Sequence, residues 1–174
     1  MAATAIVVPF HDVDAVVGRF RRELTRDGAE GMPAHVTLIY PFADDSHIGG
    51  PEIARLRAAL VRFSAFGVRF ARFDRFAAVP PVLYLEPEPG DPFVEMIAAL
   101  TREFPAFPPF GGIHETVVPH LTVAQTDDVA AMRAAEVQVA GRLPIRTHVA
   151  EATLMEQGVD GWRIRDRMPL PPAD

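Results

Sequence analysis

The sequence lacks cysteine and lysine, and it contains no long apolar run. Without cysteine there can be no disulfide framework, no thiolate nucleophile and no cysteine-ligated zinc. No hydrophobic segment approaches the roughly 20 residues that cross a bilayer. The apolar start Ala2–Phe10 has no basic region ahead of it, so no cleaved leader is expected. We therefore expect a soluble, unprocessed protein, with the cytoplasm as the default location and no membrane partner.

The charge balance argues against one class of partner. The 17 basic residues are all arginines, and the formal net charge is −6. Broad binding along a nucleic acid needs many cations facing phosphates, so it is disfavoured. A small cationic pocket remains possible, because the guanidinium fork suits phosphate and carboxylate groups. The exclusive use of arginine is chain-wide, however, and is first of all a compositional bias.

The spacing of apolar residues predicts a duplicated β-α-β-α-β pattern. At 174 residues, with 49% hydrophobic and 23% charged residues, the chain suits one folded domain, and we expect two packed lobes over about 1–79 and 80–174. Helices are predicted after a cap at Asp12, at Pro51, at Asp91-Pro92 and after Asp127 or Asp128. A turn at Asp160-Gly161 predicts an added edge hairpin. The predicted strands are Thr4–Pro9, Ala34–Tyr40, Phe66–Phe70, Val82–Leu85, Val118–Gln125 and Ile145–Val149.

One tetrapeptide pattern occurs at equivalent places in the two halves. It is His-Val-Thr-Leu from His35 and His-Leu-Thr-Val from His120. Side chains alternate along a strand, so each histidine shares a face with the threonine two residues later. The aliphatic residues then face the helices, which leaves a His-x-Thr pair on the open face of each lobe. An approximate two-fold axis would bring both imidazoles, His35 and His120, to the junction of the lobes.

Two histidines beside one phosphorus can perform in-line phosphoryl transfer. A neutral imidazole accepts a proton and an imidazolium donates one near pH 7. The hydroxyls of Thr37 and Thr122 can donate to the non-bridging oxygens. This scheme requires no metal, and a zinc site would need a third ligand that the spacing does not supply. Serine hydrolysis fits less well, because no G-x-S-x-G occurs and Ser46 and Ser64 lie outside any nucleophile elbow.

The segments AHVTLIYPF and VPHLTVAQ, with the lead-in FPPFGGIHETVVPHLTVA, resemble the motif regions of the 2H phosphoesterase superfamily. That superfamily includes 2′-5′ RNA ligase-like proteins and cyclic nucleotide phosphodiesterases. The resemblance implies a bilobal α+β fold, with two antiparallel sheets facing a central cleft and helices outside. It also implies metal-independent and cofactor-free action on 2′,3′-cyclic phosphates or 2′-5′ linkages of nucleotides or RNA ends. By similarity, His35 would be the general acid and His120 the general base, with Thr37 and Thr122 holding the phosphate.

The chain departs from the resemblance at one position. Several ligase-like relatives carry a basic residue shortly after the second motif, where this chain has Gln125. We expect Gln125 to face the cleft and donate to a phosphate, although it could be an ordinary polar strand end. Tyr40 has the opposite strand parity from His35, so a stacking role would require a bulge or a strand end there.

Other readings of the same cleft remain open. A module that binds a nucleotide or phosphometabolite without cleaving it is the main alternative, and a coincidental pair of motifs is a third. Within the long loop Phe104–Val117, His114 is expected to be a solvated loop residue and His11, His47 and His148 to be structural or exposed. A monomer is expected.

Overall fold

Two four-stranded antiparallel sheets and five α-helices build the part of the chain that the structure describes. The structure is a computed structural model and describes residues 2–112 and 117–173. The strands are β1 (Thr4–Pro9), β2 (His35–Ile39), β3 (Phe66–Phe76), β4 (Val82–Glu88), β5 (Leu121–Gln125), β6 (Ile145–Val149), β7 (Glu151–Gly158) and β8 (Gly161–Pro169). The helices are α1 (His11–Leu24), α2 (Arg26–Ala29), α3 (Gly50–Leu60), α4 (Asp91–Glu103) and α5 (Val129–Ala140), and short 3₁₀ turns occupy Asp45–His47 and Pro109–Gly112.

Each sheet takes strands from both halves of the chain. The first sheet has the order β2-β1-β7-β8, and the second has the order β5-β4-β3-β6. Thus β3, from the first half, lies beside β4, whereas β7 and β8, from the second half, complete the sheet of β1 and β2. The predicted α+β fold with two antiparallel sheets is confirmed, but the sheets do not coincide with the sequence halves 1–79 and 80–174. The motif strands β2 and β5 are both sheet edges.

Local sequence signals explain where most helices begin. Asp128 caps α5 by accepting from the backbone N–H of Ala131 at 2.9 Å, and Pro51 lies in the first turn of α3, both as predicted. The predicted cap at Asp12 is wrong. Helix α1 begins at His11 with Phe10 as its N-cap, two residues before the predicted cap, and Asp12 lies in its first turn, where a carboxylate faces the positive end of the helix dipole.

Aromatic packing joins the two halves into one hydrophobic core. Phe10, between β1 and α1, contacts Phe70 of β3 edge-on at 5.1 Å between ring centroids and Phe93 of α4 at 6.3 Å. All three rings are buried, and one continuous apolar cluster extends beneath both sheets. Burial of such side chains stabilises by about 1.5–3 kcal/mol each. The two sheets are therefore held together as a unit, which fixes β2 relative to β5.

Candidate active site

The alternation predicted for the first motif is present in β2. Val36 and Leu38 are fully buried in the core, while His35 and Thr37 point the other way, into the cleft between the sheets. His35 is nevertheless only 9% exposed, so the face expected to be open is largely covered at this end. The first motif therefore offers an imidazole from a dry environment, where electrostatic interactions are strong.

The second motif begins just outside its strand. His120 immediately precedes β5, which starts at Leu121 and not at the predicted Val118. Leu121 and Val123 are buried in the core, and Thr122 is half-buried and turned to the cleft. His120 is likewise half-buried, so its ring is more exposed than that of His35.

The same backbone contact holds both imidazoles. Nδ1 of His35 lies 2.8 Å from the carbonyl oxygen of Pro33, and Nδ1 of His120 lies 2.7 Å from that of Val118. Because a carbonyl oxygen only accepts, Nδ1 is the donor in both rings. The neutral form of each ring then has its proton on Nδ1 and its lone pair on Nε2. Each motif thus prepares Nε2 for proton transfer.

One cavity of about 680 Å³ brings together the five residues predicted for the site. His35 and Thr37 of the first motif and His120 and Thr122 of the second all line it. Gln125 also lines it and is exposed. The remaining walls are mostly apolar or aromatic, which is typical of a small-molecule site with a few placed polar groups.

A β-bulge follows the threonine of each motif. In β2, Thr37 pairs with Val7 and Ile39 with Ile6, so Leu38 is the extra residue. Since a bulge shifts the alternation by one residue, Tyr40 reaches the cavity despite its parity. Tyr40 also lies just beyond the end of β2. The structure thus has both the bulge and the strand end that the sequence analysis named as alternatives for a stacking role.

The second bulge does the same for Gln125. Tyr84 pairs with Thr122 and Leu83 with Ala124, which leaves Val123 as the extra residue. Simple alternation would turn Gln125 away from Thr122, because three positions separate them. The bulge returns it to the cleft, where the prediction expected it. Tyr40 and Gln125 are therefore matched positions, each three residues after its motif threonine.

Charged groups surround His35. Oδ2 of Asp27 lies 3.9 Å from Nε2 of His35 and accepts from Nη2 of Arg21 at 2.6 Å. Burial and the nearby Arg21 guanidinium lower the pKa of His35 to about 4, against the opposing effect of Asp27. Burial favours the neutral form of Asp27, but Arg21 and His35 outweigh it, so the pKa of this carboxyl is below its ordinary value. At neutral pH, His35 is neutral and Asp27 is ionised.

Aromatic rings surround His120. Phe76 contacts it edge-on at 4.9 Å between centroids, and Tyr84 does so at 5.4 Å. Phe76 and Tyr84 stack on each other at 4.3 Å. Burial and Asp74 raise the pKa of Tyr84 to about 12, so its hydroxyl stays protonated and donates to Asp74 at 3.2 Å. The second histidine is thus oriented by ring contacts.

One further wall of the cavity was not predicted from the sequence. Trp162, assigned to an edge hairpin, lines the cavity and contacts Tyr40 at 6.1 Å between centroids. Its backbone N–H donates to the carbonyl of Glu30 at 2.7 Å. Gly161 has φ of +106°, and a Cβ there would lie 2.2 Å from the same carbonyl oxygen, so only glycine fits. The Asp160-Gly161 pair signalled this turn but not its contact with Glu30.

Other sequence features lie away from this centre. His11, His47 and His148 are exposed and do not line the cavity, and His114 lies outside the described residues. Across residues 2–112 and 117–173, no cluster of three or more histidine, aspartate or glutamate side chains could hold a metal ion. Within that same portion, none of the helices has the length and apolar character needed to cross a membrane.

Sequence comparison identifies a family. The sequence model of the 2′-5′ RNA ligase superfamily matches residues 9–161. A protein of Bacillus pumilus (strain SAFR-032), provisionally named a phosphoesterase, is 34% identical over 94 residues. That match covers 54% of this chain and 53% of the relative, so the two align over about half their lengths.

Solved structures share the fold. The protein TT0787 of Thermus thermophilus superposes with a TM-score of 0.62 at 14% identity, covering 99% of this chain and 100% of that one. Apo LigT of Escherichia coli gives 0.58 at 14% identity, with 98% of each chain covered. Its complex with 3′-AMP gives 0.59 at 13% identity, covering 97% of this chain and 98% of that one. The family predicted from the sequence is confirmed by the match over residues 9–161, and the chain belongs to the 2′-5′ RNA ligase superfamily, a group of 2H phosphoesterases.

Proposed function

We propose that this protein is a metal-independent phosphoesterase that acts on 2′,3′-cyclic phosphates or 2′-5′ phosphodiester bonds, in nucleotides or at RNA ends. His35 and His120 transfer the protons. Thr37 and Thr122 donate hydrogen bonds to the phosphate, and the exposed side chain of Gln125 supplies a further donor.

The observation that carries this proposal is the paired geometry of the motifs. Two imidazoles face one cavity, and each donates through Nδ1 to the carbonyl two residues earlier. Each has a threonine hydroxyl beside it on the same side of its strand. Two rings that exchange protons through Nε2 suit a reaction in which one group gains a proton as another loses one.

Two histidines account for both proton transfers in the hydrolysis of a cyclic phosphate. A water oxygen forms a bond to phosphorus as the phosphorus–oxygen bond to the 2′ or 3′ oxygen breaks. The base histidine takes a proton from the water, and the acid histidine gives one to the leaving oxygen. Charge that grows on the non-bridging oxygens is met by the hydroxyls of Thr37 and Thr122. Histidine and threonine supply all of these functions without a metal.

The family resemblance assigns the acid to His35, which must then acquire a proton. In the free protein, its pKa of about 4 keeps His35 neutral at neutral pH. A phosphate anion in the cavity favours the charged imidazolium and raises that pKa. We therefore assign proton uptake by His35 to substrate binding, and the proton removed from water to His120.

The cavity wall supports a nucleotide as substrate. Tyr40 and Trp162 form an aromatic corner, and Gln157 and Glu30 lie beside it. An aromatic face stacks on any nucleobase, and an amide next to a carboxylate can meet its polar edge. LigT, which has the same fold, has been crystallised with 3′-AMP, with NADP+ and with ATP. A nucleotide is also consistent with Arg26, a guanidinium on the wall of the cavity.

The test is turnover by purified protein in the presence of a chelator. The substrates are the 2′,3′-cyclic nucleotides, short RNAs ending in a cyclic phosphate, and 2′-5′-linked dinucleotides. Hydrolysis of at least one class, unaffected by EDTA and lost in His35→Gln and His120→Gln, is the expected result. Activity that requires added metal, or that survives both substitutions, would overturn the proposal.

A nucleotide-binding module without catalysis is the second candidate. Gln125 in place of a basic residue and the net charge of −6 both weaken electrostatic hold on a phosphate. Calorimetry with 3′-AMP and with a 2′,3′-cyclic nucleotide separates the candidates. Binding of both ligands, with the cyclic one recovered intact over a wide pH range, would favour the module. A bell-shaped dependence of kcat/KM on pH would favour the enzyme.

A further inference from the structure

Among the residues that the structure describes, Arg21 has the largest fully buried side chain, and it is not one of the residues that line the cavity. It lies on α1 and is 1% exposed. A buried cation is costly unless its charge is paired and its donors are satisfied. Its Nη1 donates to the carbonyl oxygen of Thr122 at 2.6 Å, and its Nη2 donates to Asp27 at 2.6 Å. Among the described residues, none accepts from its Nε.

The first contact fixes the second motif. β5 is an edge strand, so some of its backbone carbonyls lack a ladder partner. The guanidinium of Arg21 supplies that partner at the carbonyl of Thr122, immediately before the bulge at Val123. A helix of the first half of the chain thus holds the strand that carries Thr122.

The second contact reaches the first motif through Asp27. One carboxylate oxygen, Oδ2, lies between Nη2 of Arg21 and Nε2 of His35, and the other, Oδ1, accepts from the N–H of Gly28 at 2.9 Å. Gly28 also donates to Oγ1 of Thr25 at 3.0 Å. A Cβ at Gly28 would lie 2.5 Å from the carbonyl of Arg21, so this turn tolerates only glycine. Asp27 therefore has a fixed position between the guanidinium and the imidazole.

We propose that Arg21 is a positioning residue that couples the two motifs: it holds the backbone of Thr122 directly and sets the environment of His35 through Asp27. This role rests on the proposed function, since it concerns the same two motifs. β2 and β5 belong to different sheets and share no ladder, so core packing alone would otherwise set the distance between them. Arg21 adds a direct polar link across this boundary.

Opposite charges make the proposal testable on His35 itself. The groups that act on this ring are Arg21 from α1, Asp27 from α2 and His120 from the segment before β5. Arg26 and Glu30 also line the cavity wall. Removing the guanidinium leaves Asp27 unbalanced and raises the pKa of His35, whereas removing the carboxylate lowers it. A merely structural role for Arg21 predicts neither shift.

The experiment is an NMR titration of His35 in protein carrying labelled histidine, with the resonance assigned by His35→Gln. In Arg21→Gln the pKa of His35 is expected to rise by about one unit, and in Asp27→Asn it is expected to fall. Arg21→Lys, which keeps a charge, should stay near the wild-type value. Arg22→Gln is the matched control, because Arg22 is the exposed neighbour on the same helix. The amide resonance of Val123, next to the accepting carbonyl, should move in Arg21→Gln and not in Arg22→Gln.

Failure of the inference is separate from failure of the proposed function. The NMR titration requires no turnover, so it stands even if the protein hydrolyses none of the substrates. Unchanged titration of His35 in Arg21→Gln or Asp27→Asn overturns the inference. If Arg21→Gln does not fold, Asp27→Asn and Arg21→Lys decide the question. Where the protein does turn over a cyclic phosphate, the pH limb of kcat/KM that depends on His35 should shift in the same direction.

Discussion

The two motif regions have the same backbone arrangement, but their histidines have different surroundings. Each ring donates to the carbonyl two residues earlier, and a bulge follows each threonine. His35, however, is buried beside the charged pair of Arg21 and Asp27, whereas His120 is half-buried against Phe76 and Tyr84. The duplicated part fixes where Nε2 points. The part that is not duplicated lowers the pKa of His35, so the surroundings of one ring tune its proton affinity while the backbone contact is common to both.

The largest expected effect comes from removing either imidazole. His35→Gln and His120→Gln should each lower kcat/KM by about 10³-fold, because each removes one proton transfer from the same step. The double variant should lose little more than either single one, since the two rings act as a unit. Steady-state kinetics on a 2′,3′-cyclic nucleotide measures this, with exposed His148→Gln as the matched control. Retention of a tenth of the activity in either single variant would contradict the paired scheme.

The threonines should be more nearly equivalent than the histidines. Thr37→Val and Thr122→Val keep the side-chain shape but remove a hydroxyl donor, and each should lower kcat by about 10²-fold with a smaller change in KM. Thr→Ser at either site should restore most of the rate, because it restores the hydroxyl. A loss in KM alone would show that the hydroxyls bind the ground state and not the transition state.

Acid should destabilise the fold through His35. Its pKa is about 4 in the folded protein, below the ordinary 6.5, so the unfolded chain binds more protons between these values. Stability present above pH 6.5 is therefore lost as the pH falls toward 4. Between pH 7 and pH 5, protonation of His35 in the unfolded chain lowers the free energy of unfolding by about 2 kcal/mol. Denaturant titrations at both pH values should show that His35→Gln loses this component, while His148→Gln retains it. An equal pH response in His35→Gln and the wild type would contradict the burial argument.

The periodicity of apolar residues predicts the strands, and the repeated motif predicts which side chains face the cleft. β1 was placed at Thr4–Pro9 without error, and alternation correctly assigned Val36 and Leu38 to the core. These features depend on neighbours within one strand. The strand exchange that places β7 beside β1, with β8 on the far side of β7, depends on contacts across more than 100 residues, and no local pattern encodes it.

Two features of the site could not be predicted from the sequence: the register of the motif strands and the burial of a charged side chain. The bulges at Leu38 and Val123 are properties of strand pairing, and they decide which face Tyr40 and Gln125 occupy. Arg21 sits on an amphipathic helix where an arginine is ordinarily solvated. Its only local signal is the break after Leu24, where Thr25 caps a short second helix with Asp27 in its first turn. The charged pair of Arg21 and Asp27 beside His35 could therefore not be predicted before the fold was known.

Tyr40 should affect binding of the base and little else. If its ring stacks on a nucleobase, Tyr40→Ala should raise KM for a cyclic nucleotide by about tenfold, in line with the cost of losing one stacking contact. Tyr40→Phe should retain the affinity. A cyclic phosphodiester without a base, such as glycerol cyclic phosphate, should show no change in either variant. An equal rise in KM for both substrates would instead mean that Tyr40 stabilises the motif strand β2.

The smallest effect is expected at Gln125, the counterpart of Tyr40 after the second bulge. Gln125 is exposed, so its hydrogen bond to a phosphate competes with water, and Gln125→Ala should raise KM by only about threefold with kcat unchanged. Gln125→Arg places a guanidinium at this exposed position of the cavity wall. It should lower KM at low salt, and the gain should shrink as ionic strength rises, because an exposed charge pair is screened. A salt-independent effect, or a change in kcat, would mean that position 125 contacts the reacting phosphate more closely than its exposure implies. The comparison between the two motifs would then extend from their histidines to the third residue after each threonine.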